Sequence, residues 1–110
     1  MTEQSHPRHR LDDVLLLPVR LSIVAMLDGV ASAQFRAVRD TVEISDVMLS
    51  KQITVLENAG YLRIWKEPVG RRTRTWLALT EEGQGAFRGH MNALRDIANT
   101  TVVPPADGPQ

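Results

Sequence analysis

The stretch "SDVMLSKQITVLENAGYLRIWKEPVGRRTRTWLALT", residues 45–80, changes its hydrophobic period once, and that change decides the fold. From Ser45 to Ala59 the apolar residues Leu49, Ile53 and Leu56 recur at intervals of four and three, the spacing of one helix face. Ser45 is an N-cap by type, since its hydroxyl can accept an orphan N–H of the first turn. Asp46 follows where the helix dipole favours negative charge. Gly60 ends the helix. Beyond Tyr61 the period drops to two, and both arms of residues 61–80 are rich in strand formers. A hairpin folded about Gly70-Arg71 pairs Leu62 with Leu79 and Ile64 with Leu77 on one face. It pairs Trp65 with Trp76 and Arg63 with Ala78 on the other. A slip of one residue destroys both matches, so this register is expected.

Upstream, "FRAVRDTV" (35–42) places Phe35, Val38 and Val42 on one side of a two-turn helix, with Arg36, Arg39 and Asp40 outside. "EI" is a tight connection to Ser45. "ASAQ" (31–34) is a short link with room for one bridge of strand. Before it, "PVRLSIVAMLDG" (18–29) opens on a proline suited to a first helical turn and closes on a glycine. Asp12 and Asp13 precede a short apolar turn, "VLLL". Downstream, Thr80 caps a helix of roughly 18 residues with Glu81 and Glu82 in its first turn.

The order of elements predicts a mainly α chain with one small β-hairpin: a winged helix-turn-helix, α-α-α-β-β-α. The expected organisation is a flexible arm (1–10), the winged helix-turn-helix (11–80), a C-terminal dimerisation helix (81–99) and a proline-rich disordered tail (100–110). At 110 residues the chain holds one domain. No run of 18 apolar residues predicts a membrane span, and residues 1–13 lack a signal peptide's apolar core. Without cysteine there is no disulfide, thiolate metal site or cysteine nucleophile, and a cytoplasmic location is the simple expectation.

Formal net charge is zero, yet residues 63–74 hold Arg63, Lys66, Arg71, Arg72 and Arg74 against Glu67 alone, a local excess of +4. With Leu49, Ile53 and Leu56 inward, the helix "DVMLSKQITVLENA" (46–59) turns Ser45, Val47, Met48, Ser50, Lys51 and Thr54 outward. Between Val47 and Leu56 there is no acid. Hydroxyls can bond bases or phosphates, and Val47 and Met48 can pack on thymine methyls in a major groove wide enough for a helix. Arg71, Arg72 and Arg74 at the wing suit the DNA backbone or a narrow minor groove. Double-stranded DNA is therefore the expected partner and sequence-specific transcriptional regulation, as a repressor, the expected role. The alternative is a winged helix used as a protein-interaction module whose basic wing docks on an acidic partner.

Three segments, "LPVRLSIVAMLDG", "LSKQITVLENAGYL" and "GRRTRTWLALTEEG", resemble the small MarR/ArsR-like winged-helix transcriptional regulators. The resemblance spans about residues 15–97 and implies a DNA-binding regulator. Gln52 departs from it, standing where the family commonly has histidine. Phe87, Met91, Leu94 and Ile97 form a narrow seam on the last helix, and Leu11, Val14 and Leu15 offer a second apolar strip. Together they predict a two-fold interface, hence a homodimer on a pseudo-palindromic operator. No nucleophile elbow, zinc-hydrolase motif or phosphate-cradling glycine loop occurs, so no catalytic residue, cofactor or metal is expected. His6, His9 and His90 are scattered. An unidentified small-molecule effector stays open as a further partner, with the contact between N- and C-terminal helices as its place.

Overall fold

The computed structural model describes residues 5–102 of the chain. Four helices and a three-stranded antiparallel sheet follow in the expected order: α1 (Pro18–Asp28), β1 (Ala33–Gln34), α2 (Phe35–Val42), α3 (Asp46–Asn58), β2 (Leu62–Val69), β3 (Arg72–Leu79) and α4 (Glu81–Ala98). Strand order is β1-β3-β2. β1 is the bridge expected in the "ASAQ" link, pairing Ala33 with Leu77 and Gln34 with Trp76.

The hairpin takes the register that its apolar rows require. Leu62 pairs with Leu79, Ile64 with Leu77, Trp65 with Trp76, and Val69 with Arg72. Gly70 takes φ +61°, as the first position of a two-residue hairpin loop demands of a residue without Cβ. Between α2 and α3 the turn is closed by Glu43, a non-glycine at φ +64°, whose N–H bonds the Arg39 carbonyl at 2.9 Å. That left-handed cap satisfies the end of α2 and reverses the chain in three residues. Ser45 then caps α3, its Oγ accepting the Met48 N–H at 3.0 Å.

One core joins these elements. Ile23, Val24 and Leu27 of α1, Val38 of α2, Leu49, Ile53 and Leu56 of α3, and Leu62 and Leu77 of the sheet are all buried. Each large aliphatic side chain so buried contributes about 1.5–3 kcal/mol. α4 leaves the wing through Thr80, whose Oγ1 accepts the Gly83 N–H at 2.9 Å and donates to the Gly60 carbonyl at 2.6 Å. Gly83 lies against the Tyr61 carbonyl so closely that a Cβ there would stand 2.3 Å from the oxygen. This approach sets how α4 crosses the domain.

Two expectations at the N-terminus are corrected. Residues Pro7–Arg10, expected as part of a frayed arm, form a 3-10 turn packed on α4. Proline presets the turn, Arg10 pairs with Asp96, and the Asp12 N–H donates to Nδ1 of His90, which is buried. Leu15, expected at an interface between chains, is fully buried in the chain's own core. Asp12 Oδ1 accepts the Val14 N–H at 2.8 Å and starts a second 3-10 turn, Asp13–Leu16. That turn points Leu15 inward and leaves Leu16 and Leu17 outside, 52% and 39% exposed. Residues 1–4 of the expected arm and 103–110 of the expected tail lie outside the described residues.

Candidate nucleic-acid interface

α3 and the hairpin position the candidate residues. Ser45, Val47, Met48, Ser50, Lys51 and Thr54 are all exposed, with Val47 at 80%. An apolar side chain so bare at a helix N-terminus has no role in the chain's own core. Thr54 Oγ1 donates to the Ser50 carbonyl at 2.9 Å, which keeps its methyl and oxygen on the outer face. Arg71, Arg72 and Arg74 are exposed as well, at the far end of the hairpin. None of the three makes an ion pair among the described residues. α3 meets the sheet across a groove of about 330 Å³ lined by Phe35, Ser50, Ile53, Thr54, Ile64, Lys66 and Thr75. Lys66 brings positive charge from the hairpin to that groove, and Arg71, Arg72 and Arg74 lie beyond its lining.

Residues that the sequence reading passed over hold this surface in place. Arg39 bridges the two helices of the helix-turn-helix, its Nη1 on Asp46 at 2.8 Å and its Nε on Asp40 at 2.9 Å. These bonds raise the Arg39 pKa further above its ordinary value and lower that of Asp40. The pairs are exposed, so their contribution is orientation more than stability. Gln52, buried on the inner side of α3, accepts from Arg20 Nη1 at 3.0 Å, while Arg20 Nε donates to the Val14 carbonyl at 2.6 Å. The other end of Gln52, Nε2, lies 3.2 Å from Sδ of Met48. A polar chain therefore runs from the N-terminal turn through the core to an exposed residue of the helix face. The signal for it was present, because Gln52 lies within the apolar stripe, one turn after Met48.

On the other side of the molecule, the proposed seam of α4 is mixed. Phe87 is half-buried and packs on the chain's own core. Met91 and Ile97 are half-buried and Leu94 is 36% exposed. Leu11 and Val14 are half-buried. Leu16 and Leu17, part of the apolar turn "VLLL" but not among the residues expected at the interface, add exposed apolar surface close to Val14 in the chain. Tyr61 ties this region to the wing base: its hydroxyl donates to Asp12 Oδ2. That bond first, and burial second, push the Tyr61 pKa up to about 12.

Among the described residues no group of three or more His, Asp or Glu side chains is placed to hold a metal ion. No helix among them is long and apolar enough to cross a membrane.

Known proteins share this arrangement. The fold is similar to that of the transcriptional regulator homologue from Pyrococcus horikoshii OT3, with a TM-score of 0.78 and 23% identity over 87% of this chain and 96% of that one. It is also similar to the PcaV transcriptional regulator from Streptomyces coelicolor, solved with its natural ligand, with a TM-score of 0.69 and 19% identity over 84% of this chain and 64% of that one. In sequence, the uncharacterized protein MJ0432 of Methanocaldococcus jannaschii is 26% identical over 80 residues, 73% of this chain and 87% of its own length. The family model described as a winged helix DNA-binding domain matches residues 19–98. The helix-turn-helix and the wing agree with that match, and the chain belongs to the winged helix DNA-binding domain family.

Proposed function

We propose that this protein is a sequence-specific transcriptional repressor that binds a pseudo-palindromic operator as a homodimer. The observation that carries the reading is the exposed outer side of the helix-turn-helix and its wing. It presents exposed hydroxyl, amine and apolar side chains with no acid from Val47 to Leu56, beside three unpaired arginines, in a chain of zero net charge. An α helix fits the major groove, where Ser45, Val47, Met48, Ser50, Lys51 and Thr54 meet base edges and flanking phosphates. Arg71, Arg72 and Arg74 follow the backbone into the neighbouring minor groove.

Dimerisation is argued from the apolar surface at the other end. Leu16, Leu17 and Leu94 are exposed, and Val14, Met91 and Ile97 are half-covered. A second copy of the chain covers this surface by a two-fold contact and sets two α3 helices about 34–36 Å apart, one DNA turn. PcaV was solved with its natural ligand; a small-molecule effector that releases DNA is part of the proposal here.

Selection of bound duplexes from a random pool tests the reading. Enrichment of an inverted repeat with half-sites about 10–10.5 base pairs apart is the expected result. Recovery of unenriched sequence, with retention on an acidic protein partner in its place, favours an interaction module.

A further inference from the structure

β1 is two residues long and stops at Gln34 opposite Trp76. The outer edge of β3 from Arg72 to Thr75 therefore has no strand neighbour. A cleft of about 370 Å³ opens between that edge and the first turn of α2. Its lining includes Arg36 and Arg39 of α2 and Arg72, Thr73, Arg74 and Thr75 of β3. Among the described residues no carboxylate lines it. Of the four arginines only Arg39 is neutralised, through Asp40 and Asp46. Arg36, Arg72 and Arg74 are exposed and make no ion pair or side-chain hydrogen bond among the described residues. The Gln34 side chain makes no cap hydrogen bond to α2.

Unpaired guanidinium groups gathered around one concavity repel each other, and an anion relieves that repulsion. Their planar forks match the oxygens of a phosphate group, and threonine hydroxyls add neutral donors. We propose that this cleft is a phosphate-binding site in which Arg36 of α2 closes with Arg72 and Arg74 of the wing on one phosphate group. Two sources carry that chemistry. One is a phosphodiester of the duplex, which rests on the regulator reading above and adds α2 to the DNA contacts. The other is a free phosphate-bearing solute, which would compete with the duplex for the wing arginines.

Arg36→Gln tests the site in the full chain, with Arg71→Gln, outside the cleft, as the control. Arg36 is exposed and unpartnered, so the variant keeps its fold. In the first arm, duplex affinity is titrated against salt. A log-affinity slope shallower by about 0.9 in Arg36→Gln assigns the phosphate to DNA. In the second arm, without DNA, thermal unfolding is compared in sodium phosphate and in sodium chloride of equal ionic strength. A phosphate-dependent rise in Tm in the wild type that Arg36→Gln lacks assigns it to a free solute. An unchanged slope together with no Arg36-dependent rise overturns the site. Where Arg71→Gln also leaves the slope unchanged, or no duplex binds, the regulator reading has failed and the second arm alone decides the cleft.

Discussion

Replacing Gly83 by alanine should destabilise the protein, although the same change two and six residues further along α4 should stabilise it. A Cβ at residue 83 would stand 2.3 Å from the Tyr61 carbonyl oxygen and 2.8 Å from a methyl of Leu79, against an ordinary contact limit of 3.4 Å. About 1.1 Å of separation must open on the backbone side. Helix propensity favours alanine by about 1 kcal/mol. Overpacking typically costs about 1–3 kcal/mol. The Tyr61 carbonyl also accepts the Thr80 N–H at 3.0 Å, and losing that bond costs about 1 kcal/mol more. The net expectation is a loss of about 1–3 kcal/mol. At Gly85 and Gly89 a Cβ meets nothing within 4 Å, so Gly85→Ala and Gly89→Ala should each gain about 0.5–1 kcal/mol. Urea unfolding followed by far-UV circular dichroism measures all three. In thermal unfolding, about 4–8 °C per kcal/mol is expected for a domain of this size. A Gly83→Ala variant as stable as the other two would refute the close approach of α4 to the Tyr61 carbonyl, and with it the placement of the α4 seam.

Other outcomes follow from the same geometry. Arg71→Ala combined with Arg72→Ala should weaken binding to all duplexes alike and flatten the salt slope by about 1.8, which a fluorescence titration over several salt concentrations reads directly. Met91→Asp combined with Leu94→Asp should split the proposed dimer by placing unpaired carboxylates in its interface, and light scattering should then report 12.3 kDa. The Tyr61 phenol is held protonated in the fold to about pH 12 by its bond to Asp12, whereas the unfolded group titrates near the ordinary tyrosine value of 10.0. Its contribution is therefore full below pH 10 and lost as pH rises towards 12. Tyr61→Phe should be less stable at neutral pH and should show a shallower decline over that interval in urea midpoints.

Most of the fold was legible because local signals agreed with each other. Pro18 and Gly29 bracket α1, Ser45 and Thr80 cap α3 and α4, and the two apolar rows of the hairpin admit one register. The outward face of α3 was legible for the same reason, since a helix that buries Leu49, Ile53 and Leu56 has one opposite side. What escaped was tertiary. Pro7–Arg10 carries no periodicity, and its order comes from Asp96 and His90, more than 75 residues away. Leu15 and Leu16 are chemically identical neighbours, and only the Asp12-capped turn decides which is core. The arginine cleft depends on β1 ending after two residues, a length that no local pattern specifies.

The central claim is that α3 reads sequence, and the ratio of two affinities tests it most directly. Wild-type protein should be titrated by fluorescence anisotropy against its selected duplex and against a scrambled duplex of equal length, at one fixed physiological salt concentration. Specific binding tighter by about 10³-fold or more is predicted. Met48→Ala and Thr54→Ala should narrow that ratio by weakening the selected duplex, since a base contact carries about 1–3 kcal/mol of discrimination. Equal affinity for the two duplexes, or variants that lose both alike, would contradict the account.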